Sequence, residues 1–251
     1  MVNLSLNVQC IDIGNSISHF GTYKNGVLVE EQNISTQFLI EKPTEFPNFK
    51  ESNISYCSVV PKAEKELLKL ATLHQFKLYN LNFKSKGEFP INYPHPNQIG
   101  QDRIANSLAA YHSVQLPSIV IDIGTATTFD VISQNGGYEG GVIAPGPQGF
   151  LDFLSQNTAL LPKVNISEKH PNSIIGRETK DAMLIGTKIG YPAMVHGIIT
   201  NLKKEIKRKF RNEPTLIITG GGIGNLKLEN SIFRKDLTIY GLALAFQLNS
   251  K

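Results

Sequence analysis

Two stretches of the chain repeat one pattern of apolar and polar positions. Residues 8 to 13 (VQCIDI) and 118 to 123 (SIVIDI) are mainly apolar runs that contain an aspartate, and a glycine follows each. Short apolar runs bounded by turn residues predict buried strands. Since a further strand-like segment follows each glycine, both copies predict a strand, a glycine turn and a second strand.

Each copy then reaches an Asn-Gly pair at the same interval from its aspartate, at Asn25-Gly26 and at Asn135-Gly136. Asn-Gly is the preferred pair of a two-residue type I′ hairpin, in which both central residues have positive φ. The sequence therefore predicts two similar β-hairpins, each of which continues one of the repeated strands.

Apolar residues at helical spacing predict helices after each hairpin. The segments are 63 to 76, 102 to 113, and a helix that Pro192 opens, with an apolar stripe of Val195, Ile198, Ile199, Leu202, Ile206 and Phe210. Residues 215 to 222 (TLIITGGG) predict a buried strand that runs into a glycine turn. Two similar units thus join near residues 113 to 118, which predicts domains at 1–115 and 116–251.

Composition and charge narrow the function classes only slightly. The chain has 251 residues, 41% of them hydrophobic, and a formal net charge of +4, which suits an anionic substrate. The basic run at 203 to 211 falls opposite the apolar stripe, so a solvated helix face is favoured over nucleic-acid binding. Cys10 and Cys57 stand in apolar segments, and neither a secretion signal nor a membrane span is recognised. We expect a cytoplasmic protein without membrane or nucleic-acid partners.

Glycine and carboxylate at both turns are typical of phosphate binding. Glycine lets the backbone N–H groups approach phosphate oxygens, hydroxyl side chains donate to them, and a carboxylate holds a cation. The candidates are Gly14, Asn15 and Ser16 at the first turn, and Gly124, Thr125 and Thr127 at the second. The alternative is two buried strands that merely end in glycine turns. The fingerprints of Walker A and Rossmann nucleotide sites do not occur in the expected context.

An ordered series of motifs resembles the actin, sugar kinase and heat-shock ATPase superfamily and, within it, the type III pantothenate kinases. The motifs are DIGNS (12 to 16), CSVVP (57 to 61), YPHPNQIGQDR (93 to 103), DIGTATTFD (122 to 130), GGVIAPG (140 to 146), TALLPKV (158 to 164), IGRETKDAM (175 to 183) and TGGG (219 to 222). The resemblance implies an α/β fold of two actin-like (ribonuclease H-like) domains with an interdomain nucleotide cleft. It also implies a homodimer that phosphorylates the primary hydroxyl of pantothenate with ATP, the first step of coenzyme A biosynthesis.

The resemblance assigns roles to individual residues. Asp102 is the expected general base, and a carboxylate there also suits the start of a helix, where Asp is a common N-cap. Pantothenate contacts are expected from Tyr93, Gly100, Gln101, Asp102, Arg103 and Thr179, the last across the dimer interface. ATP contacts are expected from Asp12, Ile13, Gly14, Asn15, Ser16, Ile17, Ser18, His19 and Thr125. Asp12 is expected to hold Mg²⁺ through water, and Asp122 a monovalent cation, K⁺ or NH₄⁺. Asp130 is interpreted as a structural residue or a support for the site.

The chain departs from the family pattern at a few positions. Ser16 stands where Thr is common, Cys57 where Ser is frequent, and Arg177 and Glu178 precede the expected substrate threonine. Two alternatives stay open: a non-catalytic regulator like the Bvg accessory factors, and a kinase for a sugar or another small alcohol. The acidic residues Asp12, Asp102 and Asp122, together with Arg103, favour a catalytic protein.

Overall fold

A computed structural model describes residues 4–47, 53–169, 171–222, 226 and 228–249. The chain forms two compact units. Unit 1 comprises residues 1–118, 130–140 and 236–251, and unit 2 comprises residues 119–129 and 141–235. The predicted domain boundary between residues 115 and 116 stays a prediction, and so does the nucleotide cleft that was expected between the two domains.

Unit 1 contains a five-stranded sheet in the order β3-β2-β1-β4-β5. Its strands are β1 (Val8–Ile13), β2 (Ile17–Lys24), β3 (Val27–Ser35), β4 (Ile54–Ser58) and β5 (Leu78–Asn80). β1 pairs antiparallel with β2 and parallel with β4. Every residue of the central strand β1 is buried, which explains its nearly continuous apolar sequence.

Unit 1 has four α-helices among its described residues. They are α1 (Thr36–Glu41), α2 (Pro61–His74), α3 (Gln101–Ser113) and α6 (Leu237–Asn249). The helices predicted at 63 to 76 and 102 to 113 are therefore confirmed, α2 beginning two residues early at Pro61, a residue preorganised for the first helical turn. α3 and α6 approach closely, because a Cβ on Gly241 would lie 2.1 Å from the carbonyl oxygen of Ala105.

The two hairpins differ at their turns. Asn25 and Gly26 have φ of 50° and 80°, as the type I′ prediction requires. The type I′ prediction for Asn135-Gly136 is wrong, because positive φ falls on Gly137 instead (60°) and residues 134 to 136 form the loop. A three-residue hairpin loop needs its left-handed residue at the position after the turn, where this chain supplies glycine.

The second five-stranded sheet has the order β10-β9-β6-β7-β8. Its strands are β6 (Ser118–Ile123), β7 (Ala126–Ser133), β8 (Gly137–Pro145), β9 (Thr215–Thr219) and β10 (Ser231–Phe233). The end of the β7–β8 hairpin, residues 130 to 140, belongs to unit 1. The strand predicted at the start of TLIITGGG is confirmed as β9, and four of its five residues are buried.

Unit 2 also contains α4 (Pro147–Asn157) and α5 (Thr179–Phe210). The prediction that Pro192 opens a helix is wrong, because Pro192 lies inside the 32-residue α5. Proline removes one backbone hydrogen bond there, and the helix continues through it with Tyr191 and Val195 buried nearby. The predicted apolar stripe is confirmed: Val195, Ile199 and Ile206 are buried. In the described part of the chain, no helix is long and apolar enough to cross a membrane.

Candidate active site

Asp12 and Cys57 lie side by side on the parallel strands β1 and β4. Asp12 is 8% exposed and Cys57 is completely buried. The Cys57 thiol donates a hydrogen bond to Oδ1 of Asp12 over 3.3 Å. Cys57 therefore keeps a donor at the position where the family often has serine, and it fixes one oxygen of the carboxylate.

Burial, and to a lesser extent the nearby charge of Asp102, raise the pKa of Asp12 to about 7 against the opposing hydrogen bond from Cys57. Burial, followed by the charges of Asp12 and Asp102, also raises the pKa of the Cys57 thiol, so the thiol stays protonated and donates. A buried carboxylate beside a second carboxylate favours a bound proton or cation. Asp12 is thus suited to hold a cation.

Replacing Asp12 with asparagine is expected to stabilise the apo protein at pH 8. The raised pKa of Asp12 means that the native state holds a proton on this carboxyl group more tightly than the unfolded chain does. The stability that this proton contributes is fully present below pH 3.8 and is lost as the pH rises through about 7. An amide does not titrate and avoids this loss, which is worth roughly 2–4 kcal/mol. Thermal unfolding without Mg²⁺ should show Asp12→Asn gaining stability over wild type from pH 4 to pH 8. An equal difference at both pH values would contradict the raised pKa.

Asp102 is the second residue of α3, and Gly100 occupies the N-cap position. The N-cap alternative for Asp102 is therefore wrong, although its Oδ1 accepts the backbone N–H of Arg103 at 2.7 Å. Asp102 is half-buried. Burial raises its pKa, and the backbone N–H and the charge of Arg103 oppose the rise. A carboxylate with a raised pKa is a stronger proton acceptor.

Gln101 anchors the first turn of α3 to the sheet. Its Oε1 accepts the backbone N–H of Ser58 at 2.8 Å and the side-chain amide of Asn80 at 3.1 Å. These bonds hold the start of α3 at the carboxyl end of β4, the strand that carries Cys57. No local sequence pattern pointed to Asn80, because its partner Gln101 lies 21 residues away.

Arg103 is bound to Asp130. Its Nε and Nη2 both donate to Oδ1 of Asp130, at 2.9 and 2.5 Å. Asp130 is completely buried, and burial raises its pKa to about 6 against the opposing charge and hydrogen bonds of Arg103. The supporting role that the sequence suggested for Asp130 thus has a specific partner.

Tyr138 lies between Tyr93 and Arg103 and contacts both of them. The rings of Tyr93 and Tyr138 meet edge to face with centroids 5.7 Å apart, and the Arg103 guanidinium lies 5.7 Å from the Tyr138 ring centroid. Unit 1 therefore brings Tyr93 into the neighbourhood of Arg103 at the start of α3. Thr179, the remaining residue expected at pantothenate, is exposed at the start of α5 in unit 2.

The first glycine turn is supported from behind by Thr36. The Thr36 hydroxyl donates to the carbonyl of Gly14 at 2.7 Å, and its backbone N–H donates to the carbonyl of Ser16 at 3.0 Å. Asn15, Ser16 and Ile17 are exposed at this turn. Thr36 holds the turn in place, and no motif of the sequence pointed to it.

The other residues expected at ATP differ in accessibility. The side chains of Ile13 and Ser18 are completely buried, and the Ser18 hydroxyl lies 2.9 Å from that of Thr36. His19 pairs with Asn33 through a 2.8 Å hydrogen bond. Of the residues expected at ATP on this turn, Asn15, Ser16 and Ile17 are therefore the ones with exposed side chains.

The second glycine turn, in unit 2, is packed against two other glycine segments. A Cβ on Gly146 would lie 2.1 Å from the carbonyl oxygen of Gly124, and one on Gly220 would lie 2.6 Å from Oδ1 of Asp122. Thr125 is exposed. The Thr127 hydroxyl is buried and lies 2.8 Å from the hydroxyl of Tyr191. Of the two threonines considered for phosphate, Thr125 is therefore the accessible one.

The fold is the two-domain α/β fold of the actin and sugar kinase superfamily. A solved structure of a protein from Campylobacter jejuni, described as a Baf family transcriptional activator, matches with a TM-score of 0.61 at 22% identity, covering 96% of this chain and 98% of that one. The ROK hexokinase of Thermus thermophilus matches with a TM-score of 0.50 at 12% identity, covering 98% and 99%. At these identities the matches define the fold alone.

Sequence comparisons define the family. The family model for type III pantothenate kinase matches residues 9–201. The type III pantothenate kinase of Geotalea uraniireducens is 35% identical over 95% of this chain and 97% of its own. That of Methylacidiphilum infernorum is 36% identical over 84% and 76%. The chain belongs to the type III pantothenate kinase family.

Proposed function

We propose that the protein transfers the γ-phosphate of ATP to the primary hydroxyl of pantothenate and forms 4′-phosphopantothenate, the first step of coenzyme A biosynthesis. Family membership supports the reaction. The observation that carries it in this chain is the grouping of Asp12, Asp102 and Arg103 in unit 1, where Asp102 influences the pKa of Asp12 and contacts Arg103.

In this proposal Asp102 accepts the proton of the attacking hydroxyl. Phosphoryl transfer to an alcohol requires an acceptor for that proton and a fixed position for the hydroxyl. The raised pKa of Asp102 suits the first requirement. Arg103 meets the second by donating to the pantothenate carboxylate, and Tyr93, Gly100 and Gln101 line the same region, with Thr179 as a further contact.

The nucleotide is proposed to lie against the two glycine turns. Gly14, Asn15 and Ser16 offer backbone N–H groups and polar side chains, and Thr125 offers an exposed hydroxyl.

Asp12 would hold Mg²⁺ through water, since one carboxylate suits an ion that keeps several waters. No cluster of three or more acidic, histidine or cysteine side chains able to hold a metal occurs among the described residues. When bound, Mg²⁺ offsets phosphate charge. Asp122, beside Gly220, would hold K⁺ or NH₄⁺.

A coupled ADP-release assay with ATP, Mg²⁺ and pantothenate tests this function. We expect turnover that depends on pantothenate, that K⁺ or NH₄⁺ stimulates more than Na⁺, and that yields a phosphorylated product by mass spectrometry. ADP release without a phosphorylated product would indicate an ATPase. Ligand binding without turnover would support a non-catalytic regulator. Turnover with a sugar and not with pantothenate would support a sugar kinase.

The family resemblance also supports a cytoplasmic homodimer in which the helices of unit 2 meet. Unit 2 offers an apolar groove of about 420 Å³ on α5, with Met194, Ile198, Leu202 and Val142 in its lining. Light scattering of the assayed protein should give twice the chain mass of 27.7 kDa. A monomer with full activity would contradict the dimer and leave the reaction unaffected.

A further inference from the structure

The guanidinium of Arg103 is held on one edge by a buried acidic residue. Asp130 accepts from Nε and Nη2 of Arg103 with one oxygen, and it is itself 0% exposed. The Tyr138 hydroxyl lies near Asp130 and lowers the pKa of that carboxyl group, and the Tyr138 ring centroid lies 5.7 Å from the guanidinium. Asp130 and Tyr138 come from the paired strands β7 and β8, so their positions are set by the sheet.

This arrangement leaves a defined part of Arg103 for a ligand. A guanidinium is planar and carries more N–H groups than one carboxylate oxygen uses. With Nε and Nη2 turned to Asp130, the edge formed by Nη1 and the remaining hydrogen of Nη2 faces away from Asp130. That edge matches the two oxygens of a carboxylate in a fork.

We propose that Asp130 is a positioning residue, which with Tyr138 fixes the orientation of the Arg103 guanidinium and thereby sets the preference of the site for an acceptor that carries a carboxylate. The inference rests on the proposed function. A free arginine side chain loses much rotamer freedom when it binds, and one already fixed by a buried partner loses less. The benefit of Asp130 should therefore appear in recognition of the carboxylate more than in the chemical step.

Pantothenol tests this inference, because it keeps the reacting hydroxyl of pantothenate and has an uncharged hydroxymethyl group in place of the carboxylate. In Asp130→Ala we expect the KM for pantothenate to rise about tenfold or more, kcat to change less, and the KM for ATP to stay within about twofold. The ratio of kcat/KM for pantothenate over pantothenol should fall about tenfold. Tyr138→Phe should lower the ratio in the same direction by a smaller factor.

A double-mutant cycle separates positioning from a general loss of structure. If Asp130 acts through Arg103, the pantothenate/pantothenol ratio of Arg103→Ala should not fall further when Asp130→Ala is added. Asp130→Asn keeps an acceptor oxygen in the same shape and should retain more of the ratio than Asp130→Ala. It also keeps the test open if Asp130→Ala fails to fold.

A second Asp–Tyr pair in unit 1 provides matched controls. Tyr23 donates to Asp236 at 2.5 Å, and Asp236→Asn and Tyr23→Phe should leave the ratio unchanged. The inference is overturned if Asp130→Ala keeps the wild-type ratio, if Asp130→Asn and Tyr138→Phe both keep it where Asp130→Ala does not fold, or if the effects of Asp130 and Arg103 add fully. Wild-type turnover in the same assay reports separately on the proposed function.

Discussion

Asp102→Asn is expected to lower kcat about a thousandfold. General-base contributions usually lie between about 10² and 10⁴, and an amide has almost the same shape as the carboxylate but does not accept a proton. The amide oxygen retains the ability to accept the backbone N–H of Arg103, the bond that Asp102 makes now. The start of α3 should therefore stay in place. Steady-state kinetics with saturating ATP and pantothenate measure the effect.

The stability of Asp102→Asn separates an effect on catalysis from an effect on folding. The Asp102 charge raises the pKa of Asp12, so its removal should ease ionisation of Asp12 and leave the protein at least as stable as wild type. Thermal unfolding and ATP binding should accordingly stay close to wild type. Asp152, which accepts a hydrogen bond from Gln148 in α4, offers the control Asp152→Asn. An unchanged kcat in Asp102→Asn would remove Asp102 as the base.

Local sequence patterns predicted the strands that carry the site. The runs around Asp12 and Asp122 are central, buried strands, and their apolar sequence together with the glycine that follows is a local signal. Asn25-Gly26 specified its turn because both residues adopt positive φ. At Asn135 the same dipeptide gave another turn, since Gly137 follows and takes the left-handed conformation. The preference of Asn-Gly for a type I′ turn is therefore not decisive where a neighbouring glycine can adopt the left-handed conformation instead.

The supporting contacts of the site could not be predicted, because they join residues distant in sequence. Arg103 and Asp130 come from α3 and β7, and Thr36 reaches Gly14 from another element. Hydrophobic periodicity says nothing about such pairs. The family resemblance assigned Arg103 to pantothenate, and the structure places Asp130 against one edge of its guanidinium. Pro192 shows that a local signal can also mislead, because proline usually begins, ends or kinks a helix and α5 continues through it.

Gly146→Ala is expected to impair ATP use and to destabilise unit 2. Gly146 has φ of −73°, so alanine meets no backbone strain there. Its Cβ would instead lie 2.1 Å from the carbonyl oxygen of Gly124 and 2.7 Å from that of Thr125. Both are backbone atoms, which cannot rotate aside, so the turn that presents Thr125 must shift. Such overpacking costs about 1–3 kcal/mol, and we expect the KM for ATP to rise roughly tenfold.

Gly186→Ala is the matched control for the added methyl group. Gly186 lies within α5, and a Cβ there meets no heavy atom of the described residues within 4 Å. Alanine in a helix interior should raise stability by roughly 0.5–1 kcal/mol, and kinetics should stay at the wild-type level. A Gly146→Ala protein with the wild-type melting temperature and KM for ATP would mean that the Gly124–Thr125 turn relaxes without loss. The close packing of Gly146 would then have no part in nucleotide binding, and the proposed contact of Thr125 would lose its structural support.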